Sequence, residues 1–286
     1  MLIFKVLVLQ ALYNLSDDQM EYQLRDRLSF MCFVGLGLED AVPDAKTLWL
    51  YREALAKAGA VEKLFDLFDG YLKAKGYLAM GGQIIDATIV AAPRQRNSCD
   101  DNATVKAGKT PEEREKKPAK NRQRDKDARW TKKHGRSHFG YKNNVCIDRR
   151  HKLVRRYTVS SASVHDSQKL EDLLDPSNTA STVWADSAYR SKEAEEKLAA
   201  RGFTSRIHRR GCRNTPLTAR QEAANKTRSK VRARVEHVFG NQHNSMGGKL
   251  VRTIGIVRAT VKIGMQNLAY NMRRQVVLER SALAVG

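Results

Sequence analysis

The chain has 286 residues, 41% of them hydrophobic, and a formal net charge of +21 at pH 7. The apolar share is large enough to fill a core and excludes a disordered basic tail, while the charge lies far from the balance of most small soluble domains. The excess of Lys and Arg falls in two blocks, 94–156 and 201–280, and concentrated positive charge favours a nucleic-acid partner.

Residues 1–80 are predicted to form a small, all-helical N-terminal domain. Apolar residues recur at helical spacing over 2–13. A capping box at the start of 16–30 and a capping aspartate at the start of 44–59 predict two more helices, and another follows over 60–75. We expect this domain to bind DNA ends or to dimerise. Because its first helix starts abruptly in apolar sequence, we also expect it to be truncated.

From 81 to 280 the pattern predicts a mixture of strands and helices. GQIIDATIVAA (82–92) is β-branched and apolar, which predicts a strand, whereas 93–128 is polar and charged and is predicted to be a flexible basic insertion. Two further strands, 138–148 and 152–161, are joined by a turn. Helix, strand, helix, strand and two long helices are then predicted over 168–174, 182–188, 191–202, 203–209, 216–244 and 257–280. This order favours an α/β fold with a mixed sheet flanked by helices.

The cysteines and the apolar opening bear on where the protein acts. The four cysteines are scattered singly, with no C-x-x-C pair, which disfavours a zinc site and is typical of a reducing compartment. The opening segment, 1–15, is interrupted by Lys5, Gln10 and Asn14 and is too short to span a bilayer. We therefore expect a cytoplasmic, nucleoid-associated protein with no membrane partner.

Three acidic residues stand in apolar or basic surroundings: Asp86 in the first strand, Asp186 near the end of a later strand, and Glu236 on the long basic helix. Two-metal phosphoryl transfer requires several hard oxygen ligands, and adjacent strands of one sheet can place two aspartates side by side. Each residue also has a simpler interpretation, since an aspartate at a strand end is commonly a turn or cap residue and Glu236 can pair with Arg232. Apolar neighbours favour burial of the aspartates, and a buried carboxylate without a cation is costly.

Several segments together resemble the DDE transposases of bacterial insertion sequences, of the group founded on insertion sequence five. The resemblance covers nearly the whole chain and is carried by 15–55, by DARWTKKHGRSHFGYKNNVCID, by SASVHDSQKLEDLL, by VWADSAYRS and by VRARVEHVFG. It implies a ribonuclease-H-like catalytic core in which Asp86, Asp186 and Glu236 hold two Mg²⁺ or Mn²⁺ ions. It also implies cleavage at the ends of an insertion element and joining of the released 3′-hydroxyl to target DNA.

The match around the glutamate is incomplete. The wider family pattern is Tyr, two residues, Arg, three residues, Glu, six residues, Lys. Arg232 and Glu236 fit it, whereas Ser229 and His243 stand at the Tyr and Lys positions. A neutral histidine makes a weaker phosphate contact than lysine at pH 7.

Basic and aromatic residues near the carboxylates are predicted to bind double-stranded DNA, both element ends and target. Trp130 can stack on an unpaired base or serve as a core anchor, and both interpretations stay open. On the long helix, Arg232 shares the face of Glu236. The predicted contacts are Trp130, Lys132, Lys133, His134, Arg136, Lys142, Arg228 and Arg232.

Other functions remain possible at this point. A metal-dependent nuclease can use the same core without strand transfer, and Ser229 and His243 are compatible with a non-catalytic DNA-binding derivative. The positive charge also allows RNA binding, although no stacking motif of that kind is visible. The seven histidines show no metal-binding spacing, which disfavours a histidine-based nuclease. Because two element ends must be processed together, a transposase is expected to act as a homodimer or a higher oligomer.

Overall fold

The computed structural model describes residues 1–95, 99–107, 109, 116, 118–133, 135–212 and 215–284. The predicted DNA contact of His134 and parts of the predicted insertion at 93–128 lie outside these residues.

Five helices occupy residues 1–80, all of which the structure describes. The predicted single helix over 16–30 is wrong, because Arg27 adopts an extended conformation and divides it in two. The break lets Phe30 and Val34 pack against Val6 and Leu24 in one apolar cluster. The helices are α1 (Leu2–Tyr13), α2 (Asp17–Asp26), α3 (Leu28–Val34), α4 (Ala45–Lys57) and α5 (Ala60–Ala74).

The α/β prediction is confirmed, because within the described residues six strands form one mixed sheet in the order β2-β3-β1-β5-β6, with β4 also paired to β3. Strands β2 and β4 pair antiparallel with β3, and β3 pairs antiparallel with β1. Strand β5 runs parallel to both β1 and β6. This arrangement is consistent with the ribonuclease-H-like fold. The strands are β1 (Gln83–Ala91), β2 (Arg129–Lys133), β3 (Arg136–Asp148), β4 (Val154–Ser161), β5 (Thr182–Trp184) and β6 (Thr204–Ser205).

Most of the remaining elements are helices. The described parts of 93–128 contain two short helices, and the flexibility predicted for this stretch stays a prediction. The predicted helix at 168–174 begins instead as a 3-10 turn, Asp166–Lys169, capped by the His165 side chain. The helices are α6 (Cys99–Lys106), α7 (Pro118–Arg122), α8 (Leu170–Leu173), α9 (Lys192–Ala200), α10 (Ala219–Gly240) and α11 (Ile256–Leu283), with a π-helical turn at Asn241–Ser245.

Three predicted strand boundaries differ from the structure. Strand β2 lies outside the predicted strands, and its polar residues pair with the start of β3 in a hairpin. Strands β5 and β6 are shorter than predicted, because the chain turns away soon after pairing. Asp186 lies two residues beyond β5, where its carboxylate caps the 3-10 turn Ser187–Tyr189.

The two faces of the sheet are buried in different apolar clusters. Ile84 faces a cluster formed with residues of α1, α5, α10 and α11. Its neighbour Ile85 faces the opposite cluster, which includes Leu173 of α8 and Leu198 of α9. Successive strand residues point to opposite faces, so Asp86 lies on the face of Ile84, beneath the long helices. The domain boundary near residue 80 stays a prediction, although the helices of 1–80 share an apolar cluster with the sheet.

Candidate active site

Asp86 lies in the middle of β1, and its side chain is 17% exposed. Its Oδ2 accepts a hydrogen bond from Arg232 Nη2 at 2.8 Å, and its Oδ1 accepts from the Ala87 amide, also at 2.8 Å. Burial raises the pKa of Asp86, and the charge and hydrogen bond of Arg232 act in the opposite direction. The strand therefore holds a carboxylate that depends on a cationic partner to remain ionised.

Asp186 reaches the same guanidinium from the neighbouring strand. Strand β5 places Trp184 beside Ile84 in parallel pairing, and the chain then turns at Asp186. The Asp186 Oδ1 accepts from the Ser187 amide at 2.7 Å and from Arg232 Nη1 at 3.4 Å. Its side chain is 48% exposed, so this carboxylate is open to solvent on one side.

Helix α10 holds Arg232 over the sheet. It begins with a capping box at Thr218 and is fixed to the apolar cluster by Val235 and Val238, which are fully buried. Arg232 lies one turn before Val235 and therefore shares its face. The Arg232 Nε is buried and has no hydrogen-bond partner in the described part of the chain, so the guanidinium is held through its two Nη atoms.

His208 supports the guanidinium from the side and was not predicted. Its Nε2 lies 3.1 Å from both the Asn225 carbonyl oxygen and the Ser229 Oγ, and its Nδ1 lies 3.2 Å from Arg232 Nη1. A carbonyl only accepts, so Nε2 carries the proton and Nδ1 accepts from Arg232. Burial, followed by the charge of Arg232, lowers the pKa of His208 and favours this neutral form. No sequence pattern predicts the contact between His208 and Arg232, because the two residues belong to separate elements that meet only in the folded chain.

Glu236 is exposed one turn beyond Arg232. It makes no hydrogen bond or ion pair with any residue in the described part of the chain, so the alternative pair with Arg232 does not form. Across the described ranges, no three His, Cys, Asp or Glu side chains are grouped so that they could hold a metal ion. The structure thus brings Asp86 and Asp186 together through Arg232, while Glu236 stands apart from them.

The donor chemistry of the two aspartates nevertheless fits a divalent cation. Carboxylate oxygens are the ligands that Mg²⁺ prefers, and both groups already share one positive partner. Asp86 is largely removed from water, so its ionised form requires such a partner. Arg232 therefore supplies the positive charge beside these oxygens, and a metal ion could bind them only if the guanidinium moved away.

The two residues that depart from the family pattern both contact this site. Ser229 stands at the Tyr position and lies against His208. His243 stands at the Lys position, and its Nε2 lies 3.3 Å from the Oγ1 of Thr88, two residues beyond Asp86 on the same face of β1. Burial lowers the pKa of His243, with a smaller effect from Lys249. These departures therefore change the wall of the site and are not remote from it.

The predicted DNA contacts fall into two groups. Lys132, Lys133 and Arg136 are exposed on the β2–β3 hairpin. Trp130 in the same hairpin is 43% exposed and packs against Phe139 at a centroid distance of 5.3 Å, so it is neither fully free nor a buried anchor.

Lys142 and Arg228 are engaged within the chain. Lys142 Nζ donates to the Val164 carbonyl oxygen at 2.7 Å and to Asp166 Oδ1 at 2.6 Å. Arg228 Nη1 donates to the Ile207 carbonyl oxygen at 2.9 Å. These two side chains support the loops around Asp186 and His208 in the present conformation.

Comparison with known proteins identifies the chain's relatives. The family model described as a transposase DDE domain matches residues 78–272, and one described as a transposase domain (DUF772) matches residues 1–54. A transposase for insertion sequence element IS1106 from Neisseria meningitidis serogroup B is 28% identical over 228 residues, which cover 78% of this chain and 75% of that protein. No solved structure matches. Membership of the insertion sequence five group stays a prediction. Because the DDE domain match extends over more than half of the sequence and includes Asp86, Asp186 and Glu236, the chain belongs to the DDE transposase family.

Proposed function

We propose that this transposase cleaves the ends of an insertion element and joins the released 3′-hydroxyl to target DNA at the site of Asp86, Asp186 and Glu236. The observation that carries the proposal is the pairing of two carboxylates, from neighbouring strands, on one cationic group. Family membership supports a polynucleotidyl transferase or endonuclease, and the donor chemistry supports phosphoryl transfer.

The three carboxylates differ in position and in exposure, and their proposed roles differ accordingly. Asp86 lies inside a paired strand, which fixes its position, and Asp186 is half-exposed at a turn, where a phosphodiester can approach it. Glu236 is on the helix and has no hydrogen-bond or ion-pair partner among the residues that the structure describes. These three residues would hold two Mg²⁺ or Mn²⁺ ions, which when bound supply Lewis-acid stabilisation of the charge that develops on the phosphate.

The same residues serve cleavage and joining. In cleavage the attacking oxygen belongs to water, and in joining it belongs to the 3′-hydroxyl of the cut end. In both steps a P–O bond forms in line with the one that breaks, so only the attacking group changes. Once it releases the aspartates, Arg232 can donate from its Nη atoms to a phosphate in the same place, because guanidinium matches phosphate geometry.

The DNA path follows the exposed basic hairpin. We propose that Lys132, Lys133 and Arg136 contact backbone phosphates and that Trp130 stacks on an unpaired base. Lys142 and Arg228 become DNA contacts only if their internal hydrogen bonds open. Such phosphate contacts supply affinity and position, whereas sequence is read elsewhere.

Assembly and location follow from this activity. Two element ends must be held together, so a homodimer or higher oligomer on double-stranded DNA is expected, with 1–80 contributing to end binding or dimerisation. The substrate is DNA, which places the reaction in the bacterial cytoplasm at the nucleoid. Among the helices of the described residues, none is both long and apolar enough to cross a membrane.

Cleavage and joining can be tested separately. Linear DNA carrying the element's ends measures cleavage, and a pre-cleaved end mixed with plasmid DNA measures joining, both with Mg²⁺. We expect Asp86→Asn to abolish both activities and keep salt-sensitive DNA binding, while Asp18→Asn, a change at an exposed helix position, keeps all three. Normal cleavage by Asp86→Asn would refute the site.

The alternatives predict different results in these assays. A metal-dependent nuclease would cleave but would not join a pre-cleaved end. A non-catalytic derivative would bind DNA and do neither. Two observations favour that second alternative: Glu236 is exposed and unpaired within the described residues, and Ser229 and His243 depart from the family pattern.

A further inference from the structure

A cavity of about 160 Å³ lies where the N-terminal helices meet the C-terminal helix, away from the proposed active site. Its walls come from α1, the start of α2, Arg52 of α4, the segment 248–253, and α11. A water molecule occupies about 30 Å³ in the liquid, so the cavity has room for one small ion with a few waters.

Lys262 contributes an ammonium group to the wall of this cavity. Its side chain is largely buried on α11, yet its ammonium makes no hydrogen bond or ion pair with any residue in the described part of the chain. Burial, followed by the charge of Arg52, lowers the pKa of Lys262 to about 8. The charge of Asp17 offsets only part of this effect, so the buried ammonium keeps a cost that a further anion would reduce.

The single carboxylate in the cavity is already committed to another cation. Arg52 donates from Nη1 and Nη2 to the two carboxylate oxygens of Asp17, at 2.5 and 2.6 Å. Gln10 donates to the same carboxylate at 2.7 Å and accepts from Arg52 at 3.1 Å. The oxygens of Asp17 are thus bonded to Arg52 and Gln10, and although its charge also acts on Lys262, the lining cations Arg52, Arg252 and Lys262 outnumber this carboxylate.

Unsatisfied hydrogen-bond donors accompany this positive charge. Within the described residues, the buried Oγ1 of Thr253 has no hydrogen-bond partner, and the exposed Arg252 guanidinium makes no hydrogen bond or ion pair. An ammonium, a hydroxyl and a guanidinium can all donate, and none has an acceptor here. A multivalent oxygen acceptor with negative charge is the ligand that satisfies all three.

The wall that carries these donors is held in place. Gly248 lies so close to Gln266 that an added Cβ would be 1.4 Å from its Nε2. The Ala91 amide donates to the Lys249 carbonyl oxygen at 2.9 Å, and the Val251 amide donates to the Ala91 carbonyl oxygen at 2.8 Å. The segment is therefore fixed to the end of β1, and the cavity is formed before a ligand arrives, which lowers the entropy lost on binding.

We propose that this cavity binds one tetrahedral oxyanion, a phosphate or sulfate group, through Lys262, Arg252 and Thr253. The group is either a backbone phosphate of DNA or a free inorganic ion, since both present the same oxygen acceptors. The proposal does not depend on catalysis at Asp86.

Thermal unfolding with inorganic phosphate and with sulfate tests the site directly. At matched ionic strength and pH 7, each anion should raise the melting temperature of the wild-type protein above that in chloride, and Lys262→Met should remove most of that difference. Lys63→Met, at an exposed position of α5, should keep it. Thr253→Val tests the hydroxyl without touching the charge and should weaken the response several-fold. Equal anion responses in wild type and Lys262→Met would overturn the proposal.

A DNA-binding arm separates the two sources of phosphate. If the group belongs to DNA, Lys262→Met should lower the slope of log affinity against log salt by about one for a short duplex, and Lys63→Met should not. If the slope is unchanged while the anion response is lost, the ligand is a free ion. Loss of neither property refutes both forms of the proposal.

Discussion

Arg232 on α10 donates a hydrogen bond of 2.8 Å to Asp86 on β1, and the same guanidinium lies 3.4 Å from Asp186. One cationic side chain thus joins two carboxylates whose strands are adjacent in the sheet. The arrangement stabilises Asp86 in its ionised form against the cost of burial. The guanidinium also occupies the carboxylate oxygens that the proposed metal ions would require.

Replacing Asp86 should separate activity from stability. Because the pKa of Asp86 is raised, the folded state binds its proton more tightly than the unfolded state does, and ionisation reduces stability as the pH rises through that range. Asp86→Asn should therefore lose cleavage and joining. At pH 7 its melting temperature should equal or exceed that of the wild type, and its free energy of unfolding should rise by about 1 kcal/mol at most. The difference from wild type should shrink toward pH 4. A clear fall in the melting temperature at pH 7 would contradict this balance.

Removing the guanidinium should expose the carboxylate pair to metal ions. Arg232→Gln takes a positive charge from between Asp86 and Asp186, so Mn²⁺ should bind about 10-fold more tightly in calorimetry without DNA. Arg228→Gln, one turn earlier on the same helix, is the matched control and should change Mn²⁺ affinity little. Unchanged or weaker Mn²⁺ binding in Arg232→Gln would show that the guanidinium does not compete for these oxygens.

Lys262 should make stability depend on pH in the alkaline range. Its folded pKa of about 8 lies below the ordinary value of 10.5, so the folded state binds fewer protons between these values and stability rises with pH there. Below pH 8 the full cost of the charge is present: burial and the charges of Arg52 and Arg252 create it, and Asp17 offsets part of it. Relative to Lys262→Met, the wild type should gain of the order of 2–3 kcal/mol between pH 7 and pH 10 in urea unfolding. Parallel pH profiles would contradict the burial of this ammonium.

Arg155 should be the most sensitive charged residue for folding. It donates to Asp69 at 2.8 Å, to the fully buried Asp148 at 3.2 Å and to the Tyr77 carbonyl oxygen at 2.6 Å, joining α5 to the β3–β4 hairpin. Arg155→Met removes the guanidinium beside the buried Asp148 and leaves Asp69 paired with Lys73 alone, so it should cost about 3–5 kcal/mol in the free energy of unfolding. Arg156→Met, at an exposed position of the same strand, should cost less than about 0.5 kcal/mol. Similar losses in both variants would argue against a special role for this ion-pair network.

Trp130 should contribute to binding of unpaired bases. Trp130→Ala should weaken binding of single-stranded DNA by about 10-fold, because stacking of one base contributes about 1–3 kcal/mol. Trp49→Ala is the control, since Trp49 is 44% exposed against 43% for Trp130 and lies on α4. The two variants should unfold at similar temperatures. An equal effect of both variants on DNA affinity would remove the stacking role.

Local chemistry made the helices predictable. Ser16, Asp44, Ser191 and Thr218 each accept a hydrogen bond from a backbone amide three residues on, so a short window of sequence contains the cause. The break at Arg27 and strand β2 were missed because their causes lie outside such a window. Arg27 adopts an extended conformation, which lets Phe30 and Val34 pack in an apolar cluster. The polar residues of β2 form a strand only by pairing with β3.

The sequence by itself determined the class of fold, the basic character of the surface and the three carboxylates as candidates, because composition, periodicity and motif spacing are written along the chain. Only the tertiary structure decided which groups meet. Arg232 and Asp86 are 146 positions apart, and His208 and Lys262 acquire their surroundings from elements distant in sequence. The physical reason is that a side chain's charge state and partners depend on burial and on distances of a few ångström, which only packing sets.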